Sequence, residues 1–458
     1  MLILVTLLLF AQSETTVQRS QRAKQALLSG RSAEAVQLYR QLVDEIPGDP
    51  GLRLNLALAL ESAGDYSAEI LALQAVVKAR PNLASAWLMM GMAHQKLSQP
   101  AEAEAPLLRA LAIEPANRIA LLELGDVYLS TGKPGEAVRR FKTLVQLEPK
   151  SAKGWQGLGL GYLGLSTGAL AKLAKTAPVS AAYLMHSARL LMQEQQDAKA
   201  IVLLRQAVEM EPERAAIHVE LAKLYTRAGQ DDLAQSESAK AGLAKASKTS
   251  PSWDLLTLAE TNGRLAQAAF AELEKLPETP EVHELLAEAA HKQGRRLDAV
   301  AEWRKAAALA PRDARIAARL AESLWANRSY EEAAEILKPL VAARPQAGHW
   351  QFLLGDTLFR LQQMEESLPH AMAAVRLQPQ LIAAHALLGR LLMQLGEPAK
   401  AIEHLEKGCS VDDTAITYQL GQAYQATGQA ELAEKAFARH RELLRKQAGE
   451  PAITPAVK

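Results

Sequence analysis

The sequence predicts an all-α solenoid of antiparallel helix pairs. Three observations carry that reading: a fixed spacing of prolines, small residues recurring at two positions of each period, and glycine recurring between them. Pro47, Pro81, Pro115 and Pro149 are each 34 residues apart, and Pro311, Pro345 and Pro379 keep the same step. A period of this size marks a repeat array in which each unit buries its apolar face only against its neighbours.

Numbering each unit so that proline is position 32, the first unit starts at Thr16. Position 8 is then small, as at Ala23, Ala57, Gly91, Gly125, Gly159, Gly355 and Gly389. Position 20 is alanine at Ala35, Ala103, Ala137, Ala299 and Ala333. Small residues here predict two helices in close approach, because a larger side chain would hold their axes apart. Gly64, Gly132, Gly294 and Gly428 at position 15 predict the end of the first helix, since glycine takes the left-handed C-terminal conformation without a Cβ clash. Large residues fill the seam: Trp87, Leu121 and Trp155 at position 4, Tyr128 and Tyr162 at 11, Phe141, Trp303 and Phe437 at 24. Proline at 32 stops the second helix, lacking an N–H and clashing with the preceding turn.

This code resembles the tetratricopeptide repeat (TPR) family. Trp87, Met90, Gly91, Ala103, Leu107, Ala110 and Pro115, within residues 84–117, occupy the family's signature positions, and the resemblance extends over about thirteen units across residues 16–447. It implies a right-handed superhelix whose concave groove binds protein or peptide segments. The expected organisation is a cleaved export signal over residues 1–13, a continuous solenoid over 14–447 and a loose tail over 448–458. Units at 152–180 and 249–279 reach Pro178 and Pro277 early. Their second helices are expected to be shortened, bending the array there.

Composition narrows the function. A net charge of +1 offers no electrostatic support for nucleic-acid binding. The single cysteine, Cys409, excludes an intramolecular disulfide, and no His/Cys spacing matches a zinc site. Motifs for nucleophilic, phosphate-binding or metalloprotease chemistry are missing, so neither an enzyme nor a cofactor is expected. Gly157-Leu158-Gly159-Leu160-Gly161 falls inside a predicted helix with no preceding strand and is read as packing. His218, His283 and His385 recur at position 4 and are also read as packing. Met1 to Ala11 is an uninterrupted apolar run, too short to span a bilayer, and Ala11-Gln12-Ser13 resembles a cleavage site. An exported, periplasmic or secreted protein is expected, with a cytoplasmic one as the alternative, and with no membrane span in the mature chain.

Positions 2, 5, 9 and 12 share one face of the first helix, which in TPR proteins lines the concave side. Over the second to sixth units this face is apolar: Leu54, Leu58, Leu88, Met92, Leu122, Leu129, Leu160, Leu163, Met185 and Met192. From the ninth unit it turns acidic, with Glu281, Glu284, Glu288, Glu322 and Asp356, interleaved with Trp325, Phe352 and Phe359. Two readings of the acidic stretch stand open, a solvated face and a site for a basic segment. A partner using both halves would carry hydrophobic anchors at one end and Lys or Arg at the other. Some TPR domains clamp a peptide carboxylate with paired basic and Asn residues at positions 5 and 9 of adjacent repeats; here those pairs include Leu54/Leu58, Leu88/Met92 and Glu284/Glu288, and the pattern is absent. A lipid or polysaccharide ligand, in an export or envelope-assembly role, and an accessory subunit of an enzyme complex are the alternatives to a peptide-binding scaffold.

Overall fold

The computed structural model describes residues 15–243, 250–409 and 413–448, all as helices and short connections. The expected export signal and the tail beyond residue 448 lie outside them. The chain divides into two compact units, residues 1–276 and 277–458.

In the first, helices α1 (Thr16–Leu28), α2 (Ser32–Glu45), α3 (Pro50–Ala63), α4 (Tyr66–Ala79), α5 (Ala84–Lys96), α6 (Pro100–Ile113), α7 (Arg118–Ser130) and α8 (Pro134–Leu147) form four successive hairpins. A long helix follows, α9 (Ala152–Thr176). Two further hairpins come next, α10 (Ala181–Gln193) with α11 (Asp197–Met210), and α12 (Ala215–Arg227) with α13 (Asp231–Leu243). A second long helix, α14 (Pro251–Glu274), closes the unit. The second unit holds five regular hairpins: α15 (Pro280–Lys292) with α16 (Arg296–Leu309), α17 (Ala314–Ala326) with α18 (Tyr330–Ala343), α19 (Gly348–Arg360) with α20 (Met364–Leu377), α21 (Ile382–Gln394) with α22 (Pro398–Gly408), and α23 (Thr414–Ala426) with α24 (Ala430–Ala448).

The close-approach positions behave as their size dictates. A Cβ on Gly125 would lie 2.5 Å from Phe141 Cζ, and one on Gly91 2.5 Å from Leu107 Cγ. Gly389 and Gly421 face Leu405 and Phe437 in the same way. Position 8 thus stays small to admit the bulky residue of position 24, sixteen residues on. Position 15 adopts the left-handed conformation in every regular hairpin. Gly30, Gly64, Gly132, Gly229, Gly294, Gly396 and Gly428 have φ between 69° and 77°. Ser98, Gln195, Arg328 and Gln362 are held there without glycine, at φ 57° to 65°, a strain of about 1–2 kcal/mol each that the surrounding packing sustains.

The two units with early prolines differ from expectation. Their second helices are not shortened, because their hairpins do not form. Each unit is one continuous helix, of 25 residues in α9 and 24 in α14. Position 15 is Ser166 in one and Gly263 in the other, both in helical conformation. The two long helices pack antiparallel on each other. Ser166 Oγ donates to the Ala259 carbonyl at 2.7 Å, a Cβ on Gly263 would touch Ser166 Oγ at 3.6 Å, and a Cβ on Gly159 would lie 2.4 Å from Phe270 Cε1. Leu173 at the far end of α9 shares a core with Trp253 and Leu256 at the start of α14. So α14 supplies the second helix that the fifth unit lacks, and Ala269 completes the core formed by Leu124, Phe141 and Leu158. The hairpins α10–α13 are an excursion between two paired helices. Trp253 anchors its end, donating from Nε1 to the Glu211 carboxylate at 2.8 Å under the Arg214 guanidinium, 4.3 Å from the ring centroid.

Gly159→Leu is therefore expected to force α9 and α14 apart and to destabilise their pairing by about 1–3 kcal/mol. Hydrogen exchange should speed up in both helices together. Gly168→Ala, where an added Cβ meets nothing within 4 Å, should leave exchange unchanged or slower.

Glu69 stands at position 20, where alanine is the rule, and is 1% exposed with Oε2 unpaired. Burial, and then the nearby Glu61 charge, push its carboxyl up to about 8. The folded state thus retains a proton that the unfolded chain releases from the ordinary value of 4.5 upward, so this group's contribution to stability falls as pH rises from about 4.5 to about 8. Glu69→Ala should stabilise the first unit by about 1–3 kcal/mol at pH 8 and by less at pH 5, as measured by denaturant unfolding at both values.

Candidate functional site

First helices of neighbouring hairpins approach each other, α5 to α7, α7 to α9, α17 to α19 and α19 to α21, more closely than second helices do. The first helices therefore form the inner wall of each stack. In six of them position 4 fastens the start of the helix to the turn before it. Arg53, Trp87, Trp155, His218, Gln351 and His385 donate side-chain N–H groups to the carbonyls of Pro47, Pro81, Pro149, Pro212, Pro345 and Pro379, each six residues earlier, at 2.7–3.2 Å. The other nitrogen of the histidine ring turns to the second helix, at 2.5 Å from Glu237 Oε2 for His218 and 3.0 Å from His404 Nδ1 for His385. His283 likewise meets Glu302 at 2.7 Å. The position-4 histidines are thus structural hydrogen-bonding groups as well as packing ones.

In the first unit the wall carries three parallel stripes: Leu88, Met92 and Gln95 on α5, Leu122, Asp126 and Leu129 on α7, Gln156, Leu160 and Leu163 on α9. Gln95 Nε2 donates to the Glu123 carbonyl at 3.2 Å, tying α5 to α7. Leu88 is buried against the core beneath, whereas Met92, Leu122, Leu129, Leu160 and Leu163 are half-buried and present apolar surface outward. Leu54 and Leu58 on α3 continue the surface, half-buried and exposed. Met185 does not join it: it is fully buried in the core of the excursion, with Met192 half-buried against the same core. The apolar half is thus shorter than the spacing of positions 5 and 9 predicts, because α10 belongs to the excursion.

The second unit corrects the acidic half. Its carboxylates are largely paired within the chain. Glu284 holds Arg315 through two oxygens, with Nη2 at 2.9 Å from Oε1. Glu322 pairs with Arg319 at 2.9 Å and with His349 at 3.3 Å, and these partners keep its carboxyl below the usual range. Asp356, 2% exposed, accepts from Trp325 Nε1 at 2.8 Å, Arg390 Nη2 at 3.2 Å and Arg360 Nε at 3.3 Å. Phe352 and Phe359 are buried, the first edge-on to Trp325 at 6.5 Å and the second beneath Arg390 at 4.9 Å. Glu288 is exposed. Residues 351–359 of α19 are buried on every side, so Asp356, Phe352 and Phe359 form an internal node joining α17, α19 and α21. They are neither a solvated face nor an open cradle for a basic segment. Trp325 and Arg390, at positions 12 and 9, are the signal by which that pairing was legible.

Among the described residues no group of three His, Cys, Asp or Glu side chains is placed to hold a metal ion, and no helix is long and apolar enough to cross a membrane.

Tetratricopeptide repeat models match residues 21–84, 88–152, 284–338, 318–382 and 382–414, together more than half of the sequence. The chain belongs to the tetratricopeptide repeat family. A BBSome complex member, bbs-4 of Caenorhabditis elegans, is 23% identical over 138 residues, 30% of this chain and 30% of its own length, so the match spans under a third of that relative. MamA of Desulfovibrio magneticus is 19% identical over 37% of this chain and 96% of its own, with a TM-score of 0.33. The Cut9–Hcn1 hetero-tetramer of the APC/C is 14% identical over 96% and 95%, with a TM-score of 0.34.

Replacing Asp356 by Ala is expected to destabilise the second unit by about 1–3 kcal/mol, because it leaves the half-buried Arg390 and the Trp325 N–H without their acceptor, with Asp356→Asn costing less. Denaturant unfolding, and faster hydrogen exchange confined to α17, α19 and α21, would register it.

Proposed function

We propose that this TPR protein is a non-catalytic scaffold that binds a protein or peptide segment along the α3–α5–α7–α9 wall. The observation that carries the reading is the row Leu58, Met92, Leu122, Leu129, Leu160 and Leu163, apolar side chains left partly open on a wall whose equivalents in the second unit are covered from within. Exposed apolar surface of this continuity marks an interaction site, and methionine adapts to partners of different shape. A segment lying on the wall gains affinity from burial of that surface, with no bond made or broken.

A photo-crosslinking amino acid placed at Met92 or Leu129 tests it in native extract, against the same group at Leu71 on α4, a second-helix residue 67% exposed. Protein adducts are expected from the wall positions and not from Leu71. Equal labelling at all three sites, or lipid or glycan adducts alone, would overturn the reading.

A further inference from the structure

Asp126 stands in the middle of this apolar wall. It is flanked along α7 by Leu122 and Leu129, at i−4 and i+3, and on either side by the stripes of α5 and α9, which bring Met92, Leu160 and Leu163. Its side chain is open to solvent, and no hydrogen bond or ion pair from the described residues reaches its carboxylate. Five charged residues at the same repeat position elsewhere are ion-paired within the chain. Arg189 pairs with Glu220 at 2.8 Å, Lys223 with Glu220 at 3.4 Å, Glu322 with Arg319 at 2.9 Å, and Asp356 with Arg390 at 3.2 Å. Two charges bear on Asp126 from its surroundings, Glu123 on its own helix and Lys153 on α9, and neither forms an ion pair with it. The protein atoms crowded round it, and then Glu123, push its carboxyl up to about 6, with Lys153 opposing them. Ionised, the carboxylate has no protein partner among the described residues.

Resting on the scaffold reading above, we propose that Asp126 sets the specificity of the wall by taking the cationic head of one lysine or arginine in a partner segment, whose flanking apolar side chains rest on Met92, Leu122, Leu129, Leu160 and Leu163. The chemistry of those two residues fits the arrangement: each has an aliphatic stem that lies along apolar surface and a charged end that reaches past it. The apolar ring supplies affinity, and the charge at its centre supplies register and choice of partner. A purely apolar segment would cover Asp126 and leave its charge stranded, so it is selected against.

Selection of phage-displayed peptides on the full chain and on Asp126→Asn, followed by fluorescence anisotropy with the enriched peptides, tests this. The wild-type chain should enrich peptides with one Lys or Arg between apolar residues. Asp126→Asn should bind them about tenfold more weakly, the loss expected from one charge-assisted contact, with a flatter salt dependence. Lys153→Gln, which removes a competing cation without touching the ring, should bind them more tightly. Binding to the wild type should also weaken between pH 7.5 and 5.5 as Asp126 takes up its proton, and binding to Asp126→Asn should not. If both proteins enrich the same apolar peptides with no basic residue, this inference fails and the scaffold reading stands. If neither enriches any peptide and the wall positions give no protein crosslinks, both fail.

Discussion

Most regular hairpins among the described residues depend on a small residue in the first helix meeting a large one in the second. At Gly125 the Phe141 ring occupies the space where a Cβ would be, and at Gly91, Gly389 and Gly421 a leucine or phenylalanine does the same. Interiors packed to crystal-like density leave no slack at such a contact, so it sets the helix separation, and the separation sets which neighbours the outer face of each helix reaches. The hydrogen bonds from position 4 to the proline carbonyl six residues back fix the remaining freedom, the angle at which one hairpin follows another. Where that bond is made, arginine, tryptophan, glutamine and histidine make it alike, so side chains of different chemistry serve one purpose at this position, while Leu121 fills it by packing alone.

The same seam explains the long helices. Gly159 keeps its vacancy for an aromatic ring, but its own unit provides Lys175 at the corresponding place, and Phe270 from α14 fills the space instead. Pairing across the chain is then favoured over folding back, and the two hairpins between α9 and α14 are carried as a unit by their ends. The energetic logic of a repeat array, in which each element answers only to its neighbours, is retained. The neighbour in this case lies about a hundred residues away in sequence.

The inner walls of the two compact units have become chemically different by different means. In the first, apolar side chains remain partly open around Asp126, whose carboxylate has no ion pair among the described residues. In the second, Arg315, Arg319, His349, Arg360 and Arg390 satisfy the acids, while Trp325 and Arg390 cover the phenylalanines. An acidic stripe counted along one helix position shows little of this, since apart from Arg390 the neutralising residues stand at other positions of the same and adjacent units. Removing charge from Asp356 therefore bears on folding, whereas removing it from Asp126 bears on recognition.

The repeat period, the helical hairpins, the glycine turns and the small-to-large seam were all determined by sequence alone, because each follows from local sterics: proline ends a helix, glycine reverses it, and a missing Cβ admits a ring. The sequence also placed Leu88, Met92, Leu122 and Leu160 on one wall, since helical periodicity assigns faces without reference to the rest of the fold. What only the tertiary structure decided was which helix pairs with which, and which charges meet. Early prolines at 178 and 277 are read locally as shortened second helices, yet the chain prefers two unbroken helices because burial of Phe270, Ala269 and Leu173 between them is a long-range gain that no local propensity encodes. Asp126 and Asp356 stand at the same position of two different units, yet Asp356 is buried and reached by Trp325, Arg360 and Arg390, whereas Asp126 is exposed and no side chain of the described residues reaches it.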